Sequence, residues 1–201
     1  MQATAQTVCT AFEQFRMIGS GELAAIAPAI HQVLQIADHA PILIFEDATA
    51  RQLEVDFRGN LADVLERLDT AAQWTAEEAL PPAPRGRGRP KLGVVSREIT
   101  LLPRHWSWLD TQPGGASATL RRLVEDAKRI SGPADRLRHS QEAAYRFMST
   151  MAGDMQGFEE ASRALFAGDQ SRFEEMTQTW PIDVRNYAKR LGEAAFQASE
   201  V

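Results

Sequence analysis

The chain has 201 residues, 44% of them hydrophobic and 24% charged, with a formal net charge of −5. This composition suits a globular protein with enough apolar mass for a core, and no apolar run is long enough to span a bilayer. The single cysteine, Cys9, excludes an intramolecular disulfide and a cysteine metal cage. The first residues lack the pattern of a signal peptide, so the expected location is the cytoplasm, with no membrane contact.

Residues 8–16 are predicted as a strand carrying Val8, Thr10, Phe12 and Phe15, and Gly19-Ser20-Gly21 as the turn after it. From Glu22 onwards Leu23, Ile26, Ala27, Ile30, Val33 and Leu34 recur at helical spacing, with Pro28 as either a kink or the mark of a late start. Ile42–Phe45 is predicted as a strand. Gln52–Phe57 is predicted as another, with Leu53, Val55 and Phe57 on one face. Asn60 is the expected N-cap of a helix bearing Leu61, Val64, Leu65 and Leu68. The order is β-α-β-β-α, a small sheet with helices against it.

The pattern stops at residues 74–96, where Leu80-Pro81-Pro82-Ala83-Pro84 precedes a basic stretch. Residues 94–102 are predicted as a strand and 103–111 as a helix. Gln112-Pro113-Gly114-Gly115 is a turn, and Ser117 caps a helix over 118–130 with Leu120, Leu123, Val124 and Ala127 inward. Ser131-Gly132-Pro133 is predicted to end it. The remainder is helical, with stripes at Ala144-Phe147-Met148-Met151 and Phe158-Ala161-Leu165-Phe166. Asp169 is a cap, and a break falls at Trp180-Pro181. The fold class is α+β. Four segments are expected: an α+β domain at 1–73, a linker at 74–96, a strand-helix-helix unit at 97–131 and a helical domain at 132–201.

Charge is unevenly placed. Residues 1–80 carry net −8, residues 81–104 net +5, and residues 105–201 net −2. The positive band holds Arg85, Arg87, Arg89, Lys91, Arg97 and Arg104 against Glu98 alone. Its core, Arg85-Gly86-Arg87-Gly88-Arg89-Pro90-Lys91, has no apolar side chain to pack. Arg-Gly-Arg-Pro resembles the centre of an AT-hook, an extended segment in the minor groove of A·T-rich DNA. Glycine permits close backbone approach there, and arginine meets the negative potential of a narrow groove. A plain spacer between domains is the other reading.

Ile99-Thr100-Leu101-Leu102-Pro103, the helix from Arg104, Gly115-Ala116-Ser117 and the helix from Leu120 to Arg129 resemble a ribbon-helix-helix unit. The resemblance implies a homodimer with a paired ribbon in the major groove. It also implies a phosphate held by backbone N–H groups near Ser117, Ala118 and Thr119. Leu101 and Ile99 stand where that family places polar readers, and only Arg97 matches one. An unrelated hairpin or helical packing unit is the alternative. Arg121 and Arg122 fit either a phosphate contact or a solvated face. Trp106 and Trp108 fit base stacking or a core or dimer contact.

Four stretches are similar to a bacterial family known only as domain of unknown function 2239. They are Cys9–Phe12, Ile42–Thr49, Gly88–Val95 and Thr100–Trp106, continued by Gln112–Ser117 and Leu165–Asp169. That resemblance implies a bacterial cytoplasmic protein and no activity.

The four histidines lack metal spacing, Cys9 reads as a buried thiol, and adjacent Glu46 and Asp47 point to opposite faces of an extended chain. No nucleotide-binding or nucleophile motif is present, so no enzyme, cofactor or metal is expected. The expected function is DNA binding by a dimeric transcriptional regulator through Arg85, Arg87, Arg89, Lys91, Arg97, Arg104, Ser117, Arg121 and Arg122. The alternative is a non-enzymatic interaction or scaffold module whose acidic N-terminal domain binds a protein partner.

Overall fold

The computed structural model describes residues 3–77 and 96–197, and within helix 61–77 it describes side chains as far as Thr70. The chain divides into two compact units: residues 1–81 with 136–201, and residues 82–135.

In the first unit, β1 (Val8–Glu13) is the central strand of a three-stranded antiparallel sheet ordered β2-β1-β3. Cys9, Thr10, Ala11 and Phe12 are all buried, because layers cover both faces of the sheet. The hairpin to β2 (Arg16–Glu22) turns at Gln14-Phe15, with Gln14 in the left-handed region at φ 53. The predicted turn at Gly19-Ser20-Gly21 therefore lies inside β2, where these residues face Ala11, Thr10 and Cys9 in register. Glycine serves packing here, since a Cβ at Gly19 would stand 3.3 Å from Ile26 Cγ2.

Helix α1 (Leu23–Leu34) buries Leu23, Ile26, Ala27, Ile30 and Val33. Pro28 lies on its exposed side, so burial of the stripe outweighs one lost backbone bond. Strand β3 (Ile42–Glu46) pairs with β1. Residues 52–57 correct the expected further strand: Leu53, Val55 and Phe57 pack against the α1 side, but only Gln52 bridges to Phe45. Helix α2 (Leu61–Glu77) begins with reciprocal caps. Asp63 N–H donates to Asn60 Oδ1 at 3.0 Å, and Asn60 N–H donates to Asp63 Oδ2 at 2.9 Å.

Helix α3 (Pro103–Asp110) and the start of α4 (Gly115–Met151) belong to the second unit. The later part of α4 joins α5 (Phe158–Ala167), α6 (Gln170–Met176), α7 (Ile182–Leu191) and α8 (Glu193–Gln197) in the first unit. These helices cover the second face of the sheet, so residues 136–197 share a core with the N-terminal segment instead of standing alone. Phe12 and Phe45 meet Phe147 at ring-centroid distances of 5.4 and 5.0 Å, and Phe147 meets Tyr187 at 4.6 Å. Cys9, Ala11 and Ile44 face the opposite way, towards α1 and α2. The period of two along each strand thus sorts one sheet into two cores.

In the second unit, residues 96–102 form no strand, which corrects the strand expected over 94–102 as far as the described residues reach. The expected stop at Ser131-Gly132-Pro133 is also absent, because α4 runs through it. Pro133 is exposed there, and the helix is anchored further on by buried Ala143, Ala144, Phe147 and Met148. Among the described residues of this unit only Leu109 and Thr119 are buried.

Candidate nucleic-acid interface

Arg85, Arg87, Arg89 and Lys91 lie outside the described residues. Arg97 precedes α3 in an irregular segment, and Arg104 sits just inside the helix, after Pro103 at its first position. Proline starts a helix well because its missing N–H would have had no partner in the first turn. Arg97, Arg104 and Arg122 are exposed and form no ion pair among the described residues. Arg121 Nε donates to the Ser117 carbonyl one turn back at 3.2 Å. Further along α4 the cations are matched by acids: Lys128 Nζ lies 3.7 Å from Glu125, and Arg129 donates to Asp126 at 2.9 Å.

Ser117 is not the cap of α4. The helix starts two residues earlier, after Gly114 and Gly115 take left-handed φ of 84 and 74. Gly115 N–H is already bonded to the Gln112 carbonyl at 3.0 Å. Helix geometry therefore leaves the open first-turn amides at Ala116 and Ser117, whereas those of Ala118 and Thr119 point into the helix. The Thr119 hydroxyl is buried without a partner. Trp106 and Trp108 are exposed, as are Ile99 and Leu102. The structure thus brings Arg121 and Ser117 together, and leaves Arg97, Arg104 and Arg122 as separate surface cations.

A second constellation lies in the first unit, where β1, β2 and β3 meet α7. The pleat places Thr10, Ser20 and Asp47 on the face that carries Phe12 and Phe45. Thr10 Oγ1 donates to Asp47 Oδ1 at 2.7 Å and stands 2.9 Å from Ser20 Oγ. Tyr187 Oη donates to the same Asp47 oxygen at 3.0 Å. Arg190 donates to Asp47 Oδ2 at 3.1 Å and to Thr10 Oγ1 at 2.9 Å, with its guanidinium 4.6 Å from the Tyr187 ring centroid. Burial, reinforced by the Asp47 charge, raises the Tyr187 phenol above its ordinary range. The same two causes push the Cys9 thiol up to about 12. A carboxylate that accepts from three side chains acts as a clamp between sheet and helix. Sequence reading missed it because its members are up to 180 residues apart. The available signal was Thr10, one hydroxyl inside the buried run Cys9–Phe12.

Among the described residues no group of three or more His, Cys, Asp or Glu could hold a metal ion, and no helix is long and apolar enough to cross a membrane.

Residues 8–192 match the model of a family described as uncharacterised protein conserved in bacteria, DUF2239. No curated protein and no solved structure matches the chain.

Proposed function

We propose that this chain, which belongs to the uncharacterised bacterial family DUF2239, is a DNA-binding protein that contacts A·T-rich duplex and acts in transcriptional regulation. The observation that carries the reading is the run of unpaired cations. Among the described residues Arg97, Arg104 and Arg122 stand exposed without acid partners, and Arg97 and Arg104 closely follow a stretch of four cations in seven residues, within a chain of net −5. Acidic surfaces elsewhere would repel a polyanion and confine it to this band. Arg85, Arg87 and Arg89 enter the minor groove, Lys91, Arg97 and Arg104 meet flanking phosphates, and Arg121, Arg122 and the first turn of α4 add backbone contacts. The site of action is the cytoplasm, at the nucleoid.

Titration of an A·T-rich duplex at low salt tests this. A mobility shift is expected, and the Arg87→Ala/Arg89→Ala variant should weaken it and lower the salt slope by about one to two units. No shift at low salt defeats the proposal.

The exposed apolar side chains of residues 99–108 favour a second reading, a non-enzymatic protein-interaction module. Phosphates would not cover Ile99 or Leu102. Co-purification with a defined protein and no nucleic acid would support that reading over the first.

A further inference from the structure

We propose that the first half of α4 is the seat of a symmetric antiparallel dimer between two copies of this chain. Leu120, Leu123, Ala127, Ile130 and Ala134 follow one another at spacings of three, four, three and four residues. That is a single a/d seam on one side of a helix. Beyond half-buried Leu120 the seam is exposed: Leu123 is 43% exposed, Val124 beside it 54%, and Ile130 76%. A helix with an exposed apolar seam, in a unit whose described residues bury only Leu109 and Thr119, has half a core.

A second copy supplies the other half. When two seams run antiparallel about a dyad between residues 128 and 129, Ile130 meets the partner's Ala127 and Leu123 meets the partner's Ala134. In these two layers a large side chain faces a small one, and the dyad repeats each layer, as an isologous contact requires. Charge agrees with this pairing. Asp126 and Arg129 border the seam as an ion pair at 2.9 Å, and the dyad sets two such pairs side by side with alternating signs. Away from the seam Glu125 and Lys128 balance each other at 3.7 Å. A strongly acidic or basic partner would find no net charge at the centre of this seam. The three α4 side chains expose roughly 300 Å² per copy. With the four exposed apolar residues at 99–108 the patch reaches roughly 700 Å², near the roughly 800 Å² per partner of a standard interface.

Sedimentation velocity of the full chain at micromolar concentration is expected to show a species of twice the 22.3 kDa chain mass. Leu123→Glu and Ile130→Glu should each weaken the dimer tenfold or more, with the thermal transition of the first unit retained. Cross-linking with a short bifunctional maleimide reads the geometry independently. Ala127→Cys should link, since its two copies lie about 5 Å apart along the axis. Leu120→Cys, with copies about 25 Å apart, should not, and outward-facing Glu125→Cys should not. Buried Cys9 stays silent in the folded protein. A monomer at every concentration, a dimer indifferent to both glutamates, or linkage through Leu120→Cys overturns the proposal. No measurement here contains DNA, so its failure leaves the DNA reading standing, and loss of duplex binding leaves the dimer standing.

Discussion

Tyr187 on α7 donates its phenol hydroxyl to Asp47 at 3.0 Å, joining residues 140 positions apart. Asp47 also accepts from Thr10 and Arg190, so one carboxylate at the end of β3 ties β1 and β3 to the C-terminal layer. Removing it leaves two largely buried hydroxyls without their acceptor. Asp47→Ala is expected to destabilise the first unit by about 2–4 kcal/mol, and Tyr187→Phe by about 1–2 kcal/mol. Urea unfolding followed by far-UV circular dichroism measures both. A change below about 0.5 kcal/mol for Asp47→Ala would rule the clamp out.

The two raised groups give an alkaline limit. Unfolded, a cysteine ionises near 8.5 and a tyrosine near 10. Folded, Cys9 holds its proton to about 12, and Tyr187 is raised in the same direction. Their contribution is therefore complete below the unfolded values and is lost as pH rises through the folded ones. The melting temperature should be level from about pH 7 to 8 and fall progressively above about pH 9. Cys9→Ala should flatten the first part of that fall. A profile unchanged by this substitution contradicts the assignment.

Gly157 is held at φ 86, and a Cβ there would lie 2.5 Å from the Met176 carbonyl oxygen. The obstacle is backbone, so it cannot rotate away. Gly157→Ala is expected to cost about 2 kcal/mol or more, because left-handed strain adds to the collision. Thermal denaturation gives the answer, and Gly115→Ala is the comparison. Gly115 is also left-handed, at φ 74, but has nothing within 4 Å of its Cβ position.

Duplex binding should respond to charge by position. Arg97→Glu/Arg104→Glu is expected to reduce affinity for an A·T-rich duplex about tenfold or more at low salt. Arg163→Glu/Arg172→Glu alters the net charge equally but reverses arginines already paired with Glu160 and Glu175. It should have an effect several-fold smaller. Equal losses from the two variants would mean that net charge alone governs binding.

Local chemistry was legible in the sequence, and distant partnership was not. Asn60 caps α2 and Asp169 caps α6, accepting from Arg172 N–H at 2.9 Å, because a cap is decided within four residues. Gly168 closes α5 at φ 70 for the same reason. Gly19-Ser20-Gly21 misled because glycine serves turns and tight packing alike, and only the pairing with β1 distinguishes them. Gly132-Pro133 misled because helix breakers are outweighed when buried residues further along hold the axis. The positive band is plain from residue types, but the shift of the α4 start from residue 118 to Gly115 depends on backbone angles at Gly114 and Gly115. The Asp47 clamp has no local signature beyond one threonine in an apolar run.

The central strand has a kinetic consequence. β1 leaves the ribosome first, yet one of its faces is closed by Phe147 and by Tyr187 on α7, and Arg190 reaches Thr10 across 180 residues. Residues 82–135 must be synthesised before that closure begins. Contacts of such long range fold slowly, and Phe12 and Phe45 wait uncovered meanwhile. A chain cut short before α7 would carry this sheet with its second face unsealed, so truncations there should aggregate.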